Sequence, residues 1–143
     1  MTRDELLTRY DAGERDFRNA DLAGADLRGV DLAFVILAGA NLAGANLTCA
    51  SIVAADLSCV DLSGADLTEV HMVKANLSRA NLSRANLSRA NFSSANLACA
   101  NLSRANLTGS IMARVNLDGA NLDKAILTYT NLCNAILPKG FQP

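Results

Sequence analysis

Large apolar residues recur at every fifth position of this chain, without insertion, from Phe17 to Leu137. The phase is plainest between Ala75 and Ala90, where Ala-Asn-Leu-Ser-Arg is written three times in succession. Stepping by five from Leu77, Leu82 and Leu87 gives 25 central positions. All are Leu except Phe17, Ile52, Met72, Phe92 and Met112. A period of five matches neither the 3.6-residue repeat of an amphipathic helix nor the two-residue alternation of a half-buried strand. It predicts a solenoid, in which each short unit buries its apolar face by stacking on its neighbours. Two residues before each centre, from Ala20 onward, stands Ala in 17 of 24 units and Val, Ser or Thr in the other seven. A small inward side chain beside a large one allows a tight bend around a filled middle.

The first dozen residues lie outside this pattern. Thr2-Arg3-Asp4-Glu5 fits a capping box, Leu6, Leu7 and Tyr10 form a stripe at helical spacing, and Gly13 is a stop signal. A short helix over residues 3–12 is predicted. Its use is to cover the first layer of the repeat, whose leucines and unpaired edges would otherwise invite association. Its several acids suit membrane binding poorly.

Composition narrows the class. The 143 residues suffice for one ordinary domain, and with aromatics at 4% and no tryptophan the core must be Leu and Ala. No run has the length and apolarity of a membrane span, and the acidic N-terminus lacks the order of a secretory signal, so a cytoplasmic protein is expected. The net charge of −1 hides a polarity: Met1–Val70 carries 12 acids and five bases, and His71–Pro143 two acids and eight bases.

The Ala-(Asp/Asn)-Leu-X-X units resemble those of the pentapeptide-repeat family over roughly residues 15–139. The resemblance implies an all-β fold, a right-handed quadrilateral β-helix. Four units make a coil, with the central and minus-two side chains inside and the rest outside. Twenty-five units then give about six coils, a rod on the order of 30 Å long at ~4.8 Å per layer. The expected division is a capping helix over 1–14, the β-helix over 15–139 and a tail over 140–143. Many family members are cyanobacterial and have no assigned activity. Some protect or inhibit DNA gyrase as acidic mimics of DNA.

With coils of four units, residues twenty apart share a face, and candidate chemistry can be weighed. Asp21, Asp26 and Asp31 diverge around one coil, whereas a metal needs oxygens converging within about 2.0–2.6 Å; the Asp/Asn column is read as local hydrogen bonding at the corners. His71, between Ser51 and Asn91, has no nucleophile or carboxylate stacked on it and is read as a surface residue. Cys49, Cys59, Cys99 and Cys133 all point outward, no pair is close enough for a disulfide, and no zinc spacing occurs. No catalytic residue, metal site or cofactor is expected.

The basic residues close their units. Arg84, Arg104 and Lys124 form a row on one face; Arg79, Arg89 and Lys74 lie on the other three. The interaction surface is assigned to Arg79, Arg84, Arg89, Arg104 and Lys124. Cations spread over all faces without stacking aromatics disfavour nucleic acid. Ile36, Ile111, Ile126 and Ile136 put apolar groups outside. Near the poorly covered C-terminal end, Ile126 and Ile136 with Tyr129 and Phe141 suggest an apolar patch, and Tyr129, Ile136 and Phe141 suggest a homodimer end. The expected function is a non-enzymatic structural or interaction module with an unknown protein partner. Action on gyrase is the alternative, opposed by the arginines of the basic half.

Overall fold

A computed structural model describes residues 1–142. Its one helix, α1, spans Arg3–Asp11. Thr2 is the N-cap, its Oγ1 accepting from the Glu5 amide at 3.1 Å, with Asp4 and Glu5 in the first turn and Arg9 in the last. At the other end Gly13 (φ +101°) donates to Tyr10 and Glu14 donates to Arg9, the paired bonds of a Schellman close. Ala12 is the C-cap, so the helix stops one residue before the expected limit. Leu6 is fully buried, and Leu7 and Tyr10 pack half-buried on the core. The Tyr10 hydroxyl donates to the Ala33 carbonyl at 2.8 Å and the N-terminal amine to the Asp21 carbonyl at 3.2 Å, fastening α1 onto the first layer.

From Asp16 the chain forms isolated parallel bridges between residues twenty apart, from Asp16–Ile36 to Asn116–Ile136. Four such ladders alternate along the chain, one residue of each unit entering a ladder. The unit around Leu42 shows the bonding. Asn41 N–H donates back to Ala20 (2.9 Å), while Leu42 and Gly44 donate forward to Asp61 and Ser63 (2.7 and 2.9 Å). The unit then bends as Ala45 N–H returns to the Leu42 carbonyl at 3.0 Å. Three bonds between layers and one within the unit satisfy most of a five-residue backbone, which is why so short a piece can serve as a sheet element.

The bend has a property that the repeat pattern does not announce. The residue two after each centre, from Asn19 to Asn134, has positive φ, and 17 of these residues are not glycine. Positive φ at the third residue only is the type II turn, which favours Gly. A non-glycine residue there costs about 1 kcal/mol, offset by the bonds on either side. At Gly39 a Cβ would also press on the Asn19 amide oxygen one layer above, the tip of an exposed side chain that would have to turn aside.

Central residues and their small companions fill the interior, almost all of them inaccessible to solvent. Phe92 is the bulkiest of the wholly inaccessible ones, between Met72 and Met112 of adjacent layers, flexible side chains that adapt to its bulk. Ser110 replaces Ala in a small inward position, and its buried hydroxyl has no partner among the described residues. The two ends differ. Phe17, Leu22, Leu27 and Leu32 lie at 3% exposure or less beneath α1, whereas Leu122, Leu127, Leu132 and Leu137 are only half-buried. Pro138 breaks the phase: the next turn closes from Phe141 to Pro138 at 3.1 Å with Gly140 at φ +80°, one residue late.

Candidate functional site

Outward chemistry begins with the residue preceding each centre. All 19 Asp and Asn residues of this column accept, through Oδ1, the amide of the residue two further on, at 2.9–3.3 Å. Where that residue is Ser or Thr its hydroxyl often adds a second bond, as from Ser83 to Asn81 at 2.7 Å. The carboxylates and amides are thus engaged in holding turns, as their corner placement predicts. Among the described residues no three His, Cys, Asp or Glu side chains are placed to hold a metal ion. His71 is exposed and bridges to Ser51 and Asn91.

Three of the five cations of the acidic half are paired within it. Arg18 and Arg28 each close on the carboxylate two residues earlier at 2.7 Å, and Arg9 on Glu14 at 2.7 Å. The Arg28 side chain, helped by its backbone amide, holds the Asp26 carboxyl down at about 2 from an ordinary 3.8. A depressed carboxylate contributes stability above its unfolded value, and that contribution is lost as pH falls through the folded value. Fold stability should therefore fall between pH 3.8 and about 2 in a way that Arg28→Gln reduces. The direct readout is the Asp26 carboxyl titration by NMR, which should move up toward the ordinary value in that variant; an unmoved midpoint would refute the pairing.

The basic half is arranged differently. Arg89 is spoken for, with Nε 3.0 Å from Glu69 one layer earlier. The same carboxylate accepts from the Cys49 thiol at 3.6 Å and, together with desolvation as the larger cause, pushes that thiol up. This Cys49–Glu69–Arg89 column follows from the twenty-residue register, and the arginine count alone conceals it. Arg114, absent from the sequence-based surface, donates to Ser94 Oγ at 3.2 Å across one layer. Arg79 stands in the column of Cys59 and Cys99, and all four cysteines are free and exposed.

Arg84 and Arg104 come together in a way the other cations do not. They are exposed, have no ion pair among the described residues, and line an open groove of about 570 Å³ with Ser63, Gly64, Asn81 and Ser103. Lys124 continues their column one layer on. At the far end the register separates the apolar residues: Ile126 and Tyr129 (48% and 89% exposed) lie two ladders around from Ile136 (57%), and Phe141 is half-buried beyond Pro138. They point outward from different sides and do not form one continuous patch on the rod.

Comparison with known proteins places this architecture. The family model for pentapeptide repeats matches eight copies, over residues 16–33, 25–64, 61–98 and 100–137. Among solved structures, the chain is similar to the pentapeptide repeat protein Rfr23 from the cyanobacterium Cyanothece 51142. Identity is 30% and the TM-score 0.56, over 95% of this chain and 99% of that one. It is also similar to alr5209, a pentapeptide repeat protein from Nostoc PCC 7120, at 32% identity and TM-score 0.44 over 99% and 88%. QnrB1, described as a plasmid-mediated fluoroquinolone resistance protein, shares the fold at 21% identity and TM-score 0.68 over 87% and 75%. A search of curated protein sequences returns no match. With the repeat matched over most of its length and a relative aligned nearly end to end, this chain belongs to the pentapeptide-repeat family.

Proposed function

We propose that the chain is a non-enzymatic rod, a right-handed β-helix of about six coils capped by α1, that presents its outward side chains to a protein partner. The observation that carries this reading is the division of labour among side chains. The interior is filled with Leu and Ala, the Asp/Asn column is spent on turns, and the remaining freedom lies in the outermost turn residues, chiefly the unpaired cations of the second half. Exposed free thiols accord with a reducing, cytoplasmic setting, and among the described residues no helix is long and apolar enough to cross a membrane. The test is affinity capture from native cell extract against a variant with Arg84, Arg104 and Lys124 replaced by Ser. A partner retained by the native chain and lost from the variant supports the reading. Capture of no specific protein by either chain overturns it.

The half-buried leucines of the last layer favour self-association there, with Phe141, Ile136 and Tyr129 around the contact. A species that remains monomeric by light scattering at micromolar concentration, unchanged by Phe141→Ser, would exclude it. Action on gyrase is disfavoured, because Arg79, Arg84 and Arg89 stand where a DNA mimic needs negative charge. Equimolar protein is expected to leave quinolone inhibition of gyrase supercoiling unaltered, and rescue of supercoiling would reverse this conclusion.

A further inference from the structure

The groove between Arg84 and Arg104 has a donor inventory that none of the other sides matches. On this side the backbone amides of Ser83 and Ser103 donate to Oδ1 of Asn81 and Asn101 at 3.1 and 3.0 Å. A backbone N–H can be met only by the amide oxygen, so the pinned oxygen turns the Nδ2 group of each Asn outward as a donor. Ser83 Oγ is engaged with Asn81 at 2.7 Å, but Ser103 Oγ makes no bond among the described residues. Two guanidinium forks, two amide NH₂ groups and a hydroxyl thus line this shallow, open groove. Gly64 keeps one end open, with nothing near the place a side chain would fill. Elsewhere the arginines with a carboxylate in reach have closed on it.

The groove is also bounded. Asp61 precedes Asn81 in the same ladder, and Asp123 adjoins Lys124 in the chain. Favourable ground for an anion therefore extends over two to three layers, about 10–14 Å. A long polyanion would run from it onto carboxylates at both ends, and no aromatic side chain lines it to stack a base. An extended polypeptide brings its same-face side chains past at roughly 6.6–6.8 Å intervals, within reach of two flexible arginines one layer apart. Guanidinium forks match carboxylates in two parallel bonds.

We propose that this groove docks a short acidic segment of the partner protein, two or three carboxylates long, with Arg84 and Arg104 as the forks, Asn81, Asn101 and Ser103 as supporting donors, and Lys124 as the outer charge. The proposal rests on the interaction-module reading and specifies its partner.

The probe is capped hexaglutamate, titrated into the isotope-labelled full chain at ~20 mM salt, where screening is weak, and followed by NMR. Saturable shifts at Ser83, Ser103 and the Asn81 and Asn101 side-chain amides are expected, with hexalysine silent. Arg84→Ser with Arg104→Ser should weaken binding at least about tenfold by removing both charge-assisted contacts. Ser94 already holds the equivalent turn position at φ 61°, so serine there is compatible with the fold. Absence of saturable shifts, shifts elsewhere on the rod, or binding unchanged in the double variant overturns the proposal. Equal or tighter binding of tripolyphosphate overturns it in favour of a free phosphate ligand, and of a thymidine dodecamer in favour of nucleic acid. A partner captured from extract by both native and variant chains would sink the groove assignment while leaving the interaction reading intact.

Discussion

Phe92→Ala should lower the free energy of unfolding by about 3–5 kcal/mol, the range for deleting a buried aromatic ring from a close-packed interior. Phe92 is wholly buried in a column with Met72 and Met112, also buried. The rod is built by stacking, so the void has walls on every side and the layers above and below cannot close on it without breaking bonds such as Phe92 N–H to Ile111 at 2.8 Å. Phe92→Leu restores the commonest central residue and should cost less, about 1 kcal/mol, because the adaptable methionines refill part of the space. Chemical denaturation of the three proteins checks both numbers. Equal losses for Ala and Leu would show that the column does not adapt. Because each layer contacts mainly its neighbours, the void is also expected to broaden the unfolding transition.

Leu6→Ala should cost about 2–4 kcal/mol and loosen the N-terminal end in particular. Leu6 is the one fully buried residue of α1, and it covers a layer whose leucines are otherwise the end of the core. A nine-residue helix is too short to persist without packing, so loss of Leu6 should release the helix as well as its own contact. The Tyr10–Ala33 and Met1–Asp21 bonds would go with it. Hydrogen exchange separates the outcomes: amides of residues 3–11 and of the first layer should lose protection in the variant, with the middle of the rod unchanged. Uniform loss of protection along the chain would mean that the helix and rod form one cooperative unit.

Much of this architecture is legible in the sequence, for identifiable reasons. An unbroken five-residue period leaves a single phase, and Leu at the centre with Ala two before it states which side chains go inside. Thr2 and Gly13 mark the limits of α1 because cap chemistry is local. The twenty-residue register is carried by the family resemblance, not by the period itself, and the parallel ladders bear it out. The turn conformation was less visible. Glycine at Gly24, Gly44 and Gly64 hints at positive φ, but Arg, Cys, Lys and Glu stand at the same place in other units, since bonds between layers outweigh a local preference of about 1 kcal/mol.

For the surface the balance shifts. What lies inside, what lies outside and where the charges change sign can all be read from the residues alone, because burial follows a short periodic code. Which cations stay free depends on how the layers bring side chains together. Arg84, Arg89 and Arg104 occupy the same place in their units, yet Arg89 meets Glu69 across a layer while Arg84 and Arg104 meet Asn and Ser and border a groove. Twenty residues before Arg89 stands Glu69, whereas Gly64 stands twenty before Arg84, so the fold's register sets which residues are neighbours and the side-chain geometry decides whether they close on each other.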